Sequence, residues 1–342
     1  MMKEIRRPAE WELHEATILV WPHNRQTWPG DKLSRVESVF QQIIANISLS
    51  EPVYLLINDD LVWDKAEKVI SDLEGAPRIM LIKCAVNDMW VRDTSPVCIK
   101  KGGQKHFLDF MFNAWGEKYS PWQDDNHLPG KLAEYFDIPL DHVPLTLEGG
   151  AIECNGKHTL ITTESVLLNT NRGNGNVAEI ERILHKSMGI NHIIWLAGGL
   201  AGDDTDGHID DLVRFVGHSR VVAVRCNRKS NPNYEILEEN YRRLKKSVTA
   251  DNQPIEIIEL PLPEPDIGQP AADGSIHFPA SYANFYITNR QVILPLYDTR
   301  FDSDMIDLFT GLFPERQVIA IEASDLVWGQ GSFHCITQEI FR

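Results

Sequence analysis

Residues 212–260 and 283–321 repeat one order of elements: strand, strand, helix, strand. That repetition limits the folds open to the chain more than any other feature. In the first copy the β-branched runs Leu212–Val216 and Val221–Arg225 are joined by Gly217-His218-Ser219. A connection that short is a hairpin turn, so the two strands are predicted to pair antiparallel. Ala283–Thr288 and Val292–Leu296, joined by Asn289-Arg290-Gln291, read the same way. Apolar stripes at helical spacing follow each hairpin. Tyr234, Leu237, Tyr241, Leu244 and Val248 form one, and Asp302 through Met305, Phe309 and Leu312 to the break at Pro314 forms the other. The strands Ile255–Leu260 and Gln317–Ile321 complete the units. A doubly wound sheet predicts single strands between helices rather than hairpins, and fits this order less well.

Residues 91–163 and 159–196 divide similarly, around candidate helices at Leu128–Phe136 and Val177–Met188, the second flanked by Asn176 and Gly189. The stripe Leu33, Val36, Phe40, Ile43, Ile44 and Ile47 adds another, so helices centred near 40, 132, 182, 241 and 308 recur through the chain. A weaker helix is predicted over Leu61–Leu73. The element order predicts an α/β fold: a five-bladed, pseudo-symmetric α/β propeller of ββαβ-like units, closed on itself, with residues 1–342 as a single catalytic domain.

The chain carries 49 acidic and 33 basic residues, a formal charge of −16. That balance opposes nucleic acid and anionic membranes and suits a small cationic ligand. The start, Met1-Met2-Lys3-Glu4-Ile5-Arg6-Arg7-Pro8, has no apolar run after its charges, and no window reaches the roughly 18 apolar residues of a membrane span. A cytoplasmic protein is expected. Cys84, Cys98, Cys154, Cys226 and Cys335 have neither metal spacing nor a disulfide framework, so reduced thiols are expected.

Chemistry concentrates in a few segments. Thr205-Asp206-Gly207-His208-Ile209-Asp210 sets His208 and Asp210 two residues apart, on one face if the segment is a strand. Trp90-Val91-Arg92-Asp93 places Asp93 in a run read as a strand, and Glu148 precedes Gly149-Gly150. Trp90, and Trp115 within Phe112-Asn113-Ala114-Trp115-Gly116, are candidate aromatic walls. Cys335 lies in a predicted strand, Phe333–Gln338, which would turn His334 to the opposite face. Each residue has a structural alternative: Cys335 as a small buried hydrophobe, His208 as a hydrogen-bonded core histidine, the carboxylates as ion pairs or caps. Asp203-Asp204-Thr205-Asp206-Gly207 superficially resembles a calcium loop. The register fails, with Gly202 at the first ligand position and Val213 where glutamate is required.

Together these groups suit attack on a guanidinium. Carboxylates such as Asp93 and Asp210 match its planar donors, a thiolate attacks its central carbon, and one imidazole serves departing ammonia and then water. Glu148 orients the imidazole or balances its charge. No metal or organic cofactor is required.

Ordered segments extend the pattern across nearly the whole chain. They are Pro8-Ala9-Glu10-Trp11-Glu12, Trp21-Pro22-His23, Trp28-Pro29-Gly30, Trp90-Val91-Arg92-Asp93-Thr94, Phe112-Asn113-Ala114-Trp115-Gly116, Glu148-Gly149-Gly150, Leu167-Leu168-Asn169 with Arg172, Gly207-His208-Ile209-Asp210 and His334-Cys335-Ile336-Thr337-Gln338. In these the chain resembles the agmatine deiminase family, related to bacterial-type peptidylarginine deiminases within the guanidino-group-modifying superfamily. The resemblance implies Cys335 as nucleophile, His208 as general acid and base, Asp93 and Asp210 as guanidinium ligands, and Glu148 as the acid beside histidine and substrate. It also implies a five-bladed propeller with a central site, hydrolysis of agmatine to N-carbamoylputrescine and ammonia, and homo-oligomers in many members. Ser95, Gln330, Ser332 and Ala151-Ile152-Glu153-Cys154 depart from the family pattern. Peptidylarginine or free-arginine deimination, amidinotransfer and non-catalytic guanidine binding are the alternative functions.

Overall fold

A computed structural model describes residues 4–73, 78–265, 267–271 and 274–342. Met1–Lys3, on which the reading of the N-terminus partly rests, lie outside the described residues. Among the described residues the strands form five small sheets, two of four strands and three of three.

Local chemistry explains the repeated unit. Val213–Gly217 and Arg220–Arg225 pair antiparallel through the predicted turn, the helix Tyr234–Lys246 crosses over, and Glu256–Pro261 returns parallel to Arg220–Arg225. Tyr286–Ile287, Gln291–Leu296, the helix Asp302–Leu312 and Gln317–Glu322 repeat that topology. Glu153–Cys154, Thr159–Thr163, the helix Val177–Met188 and His192–Leu196 form a third copy. In that copy Asn176 caps the helix by accepting from Glu179 N–H, and Gly189 ends it at φ 71°. A β-carbon on Gly189 would stand 2.0 Å from the Ile5 carbonyl oxygen, so glycine is required there. Val97–Lys101, Gln104–Met111 and Leu140–Thr146, edged by Ile5–Arg6, make a four-stranded sheet. In the last sheet Gln338–Phe341 lies antiparallel to His14–Val20, followed by the parallel strands Val53–Ile57 and Ile79–Lys83.

The propeller expectation is corrected here. The five sheets are separate and open, and no sheet closes into a barrel or a propeller. The fold is α/β with several small mixed sheets. Short turns and crossover helices dictate pairing inside a unit, but nothing in the element order dictates closure. Two strand expectations also fail. Val91–Thr94 is a helical turn and the strand begins only at Val97, because the Ser95 hydroxyl and N–H both donate to the Val91 carbonyl and Pro96 brings no N–H. Phe333–Ile336 is a turn, held by the Thr337 hydroxyl donating to the Phe333 and His334 carbonyls, and the strand starts at Gln338.

Alternate residues of central strands enter different cores. Leu160 packs with Val97, Ile99, Ile180 and Leu184, whereas Ile161 joins the larger cluster containing Ile18, Leu55, Phe215 and Ile293. Among the described residues no helix is long and apolar enough to cross a membrane.

Candidate active site

The chemical residues sit on turns at the ends of elements rather than within strands. Asp93 lies in the Val91–Thr94 turn, and Glu148 precedes the 3₁₀ turn Gly149–Ala151. His208 precedes the 3₁₀ turn Ile209–Asp211. Cys335 occupies the turn before Gln338–Phe341, where Arg92 N–H donates to its carbonyl at 3.1 Å. The strand alternation expected to align His208 with Asp210 is therefore absent. Convergence comes from a glycine instead: a β-carbon on Gly150 would stand 2.5 Å from His208 Nδ1, 3.0 Å from Asp93 Oδ1 and 3.1 Å from Asp210 Oδ2.

Cys335, His208, Asp93, Trp90 and Trp115 line one cavity of about 640 Å³. Glu148 and Asp210 stand outside its lining and are fully buried. Asp93 is fixed by Gly150 N–H at 2.8 Å and Trp115 Nε1–H at 2.9 Å, and its Oδ2 lies 3.8 Å from His208 Nδ1. Trp115 sits at φ 56° between Ala114 at φ 52° and Gly116 at φ 92°, an unusual backbone run that orients the indole. Trp90 packs under Gly331, where a β-carbon would reach the indole at 2.4 Å.

Glu148 Oε1 accepts from Arg172 Nε at 2.7 Å, while its Oε2 lies 4.0 Å from His208 Nε2. Asp210 Oδ2 accepts from His334 Nδ1 at 2.7 Å and lies 3.7 Å from Cys335 Sγ. Glu148 Oε2, His208 Nε2 and Asp210 Oδ1 are buried without a hydrogen-bond partner. Buried groups in that state are costly, and functional sites are where they persist.

The charges set protonation. Burial, reinforced by Asp210, Asp211 and Asp93, pushes the Cys335 thiol well above its ordinary range. Burial alone would lower His208, but Asp93, Asp210, Glu148 and Asp203 outweigh it and raise the imidazole. Both shifts favour the protonated form of the group concerned. Burial raises Glu148 despite Arg172 and His208. Asp210 is held low, because His334, His208 and Arg214 overcome its burial.

Several site residues escaped sequence reasoning. Asn284 Nδ2 donates to Cys335 Sγ at 3.2 Å and to Asp211 Oδ1 at 2.9 Å, and no motif marks it. Asp211 lines the cavity, and its adjacency to Asp210 was the available signal. His334, expected to face away, reaches Asp210. The acidic run at 203–206 is bound up internally: Asp203 accepts from Thr205 and from His208 N–H, and Asp206 pairs with Lys118 and Arg172. Among the described residues no group of three or more His, Cys, Asp or Glu side chains is placed to hold a metal ion.

Fold and site define an α/β protein with a buried thiol and an imidazole on one cavity and carboxylates converging on the imidazole. The family model for Porphyromonas-type peptidyl-arginine deiminases matches residues 6–340, and the chain belongs to that family. A Legionella pneumophila protein provisionally named an agmatine deiminase is 34% identical over 339 residues, covering 97% of this chain and 93% of the relative. The solved agmatine deiminase of Enterococcus faecalis superposes with a TM-score of 0.88 at 27% identity, covering 98% of this chain and 95% of that one. A Porphyromonas gingivalis structure provisionally named an arginine deiminase gives 0.88 at 35% identity, with 98% of each chain covered.

Proposed function

We propose that this protein hydrolyses the guanidino group of agmatine, giving N-carbamoylputrescine and ammonia. The observation that carries the reading is the cavity itself. Among the described residues it joins Cys335, His208 and Asp93 to a wall holding six further aspartates and a single arginine, Arg25. Agmatine is cationic at both ends, and an acidic chamber suits both charges. Burial and the charge of Asp88 raise Asp125 to about 7, so an ammonium beside it would restore its ionised form. Relatives carrying the agmatine deiminase name support the same substrate.

The chemistry follows from the groups present. Asp93 and Asp210 grip the guanidinium nitrogens, and the arriving cation opposes the charges that keep Cys335 protonated, so the thiol releases its proton to solvent, where the departing ammonia later takes one up. The thiolate adds to the central carbon. The His208 imidazolium protonates the departing nitrogen, ammonia leaves, and an amidino-thioether remains. Neutral His208 then takes a proton from water as it adds. Collapse breaks the C–S bond, releases the carbamoyl product and restores the sulfur.

Arg25 favours a second reading, in which the α-carboxylate of arginine or of a C-terminal arginine peptide meets it. Competition among agmatine, free arginine and such a peptide, with ammonia and ureido product measured, separates the two. Preferred turnover of agmatine is expected, and inert agmatine alongside reacting arginine substrates overturns the proposal. The mass of the product distinguishes hydrolysis from amidinotransfer.

A further inference from the structure

We infer that His334 is a positioning residue: a buried imidazolium clamped between Glu10 and Asp210 that aims the Asp210 carboxylate at the substrate. The inference rests on the guanidine-binding reading of Asp210. His334 Nδ1 lies 2.7 Å from Asp210 Oδ2 and Nε2 lies 2.8 Å from Glu10 Oε2, with all three residues buried. An ionised carboxylate only accepts hydrogen bonds, so a ring held by one on each side must donate from both nitrogens. Only the imidazolium does so.

Both acids have reason to be ionised. Glu10 also lies 2.8 Å from Arg214 Nη2 and 3.7 Å from Arg92 Nη2, and its Oε1 accepts from Ile287 N–H. Glu10 is held well below the carboxylate range, since Arg214, His334 and Arg92 outweigh its burial. Asp210 is lowered by His334, His208 and Arg214 against its own burial. Glu153, which pairs with Arg214, also faces this cluster. The backbone that carries the ring is held as well. His334 N–H donates to Asn284 Oδ1 at 2.9 Å, and its carbonyl accepts from Arg92 Nε at 3.2 Å.

This arrangement divides the work of Asp210 between its two oxygens. Oδ2 is committed to His334, whereas Oδ1 is buried and unpartnered. A guanidinium N–H completes Oδ1, so the carboxylate is oriented and charged before substrate arrives, at no reorganisation cost during binding. Asn284, fixed by the His334 N–H, donates to Cys335 Sγ, so the same residue braces the nucleophile's neighbour.

The test is His334→Gln, which retains one donor and removes the charge. Loss of about 100-fold in kcat/KM is expected, a misplacement-sized effect. The acidic limb of the kcat/KM profile moves to higher pH, because Asp210 without the imidazolium binds a proton more readily. A folded variant whose acidic limb stays in place overturns the inference, since a purely structural loss lowers the whole profile without moving it. Neutron diffraction on the unsubstituted protein at neutral pD decides independently, even if the variant does not fold. Deuterium on both ring nitrogens of His334 is expected, and a singly deuterated ring overturns the inference. An unsubstituted enzyme inert toward agmatine would instead defeat the functional reading, while the neutron result still reports on His334.

Discussion

Gly150 leaves no room for a side chain where the candidate site converges. Three charged or polar groups from two segments close on a position with no side chain, and a methyl group there would displace the His208 ring first. Gly150→Ala is expected to lower kcat at least about 100-fold while far-UV circular dichroism stays unchanged. Wild-type turnover by that variant would show that the convergence is not required. Sequence reading singled out Cys335, His208, Asp93, Asp210 and Glu148 because they belong to chemically distinctive runs. It carried Gly149-Gly150 only within the Glu148-Gly149-Gly150 run, and it missed Asn284, because steric exclusion and a lone amide donor leave no pattern in a single sequence. Assigning a strand to 333–338 also turned His334 away from Asp210, which its ring actually reaches.

The elements are tied by buried ion pairs as well as by apolar packing. Glu339, on Gln338–Phe341, pairs with Arg92 Nη1 at 2.8 Å and with Arg7, joining the last strand to the Asp93 turn and the N-terminal segment. Burial opposes its ionisation, but Arg92 and Arg7 prevail and hold Glu339 at about 2. A folded value below the unfolded one, roughly 4.3, means this stabilisation is complete above the unfolded value and is lost as pH falls toward 2. Glu339→Gln is therefore expected to cost about 3–5 kcal/mol near neutral pH and to weaken the acid dependence of unfolding below about pH 4. Denaturant titrations across that window measure both, and an unchanged midpoint at pH 7 would refute the claim. Hairpins and amphipathic helices at this scale were legible because turn length and 3.6-residue spacing are local. The helical turn at Val91–Thr94 was not, since a four-residue stretch carries no period and hydroxyl-to-carbonyl bonds decided it.

At the scale of the molecule, the formal charge of −16 and the acidic cavity act on a substrate before contact. For agmatine, kcat/KM is expected to fall several-fold between about 20 mM and about 500 mM salt, with kcat nearly constant. Butylguanidine, with one positive charge, should respond less. Equal responses, or none, would argue against electrostatic guidance. Closure into a propeller was the one global inference drawn from element order, and the five open sheets replace it.

The antiparallel pairing of Gln338–Phe341 with His14–Val20 has a bearing on biosynthesis. On the ribosome, His14–Val20 emerges long before the strand that covers its edge, and the segment bearing Cys335 follows nearly everything else. Nascent intermediates therefore carry an uncovered β-edge, the kind of surface that invites chaperones or misassociation. A chain halted early in translation would lack both that covering strand and Cys335.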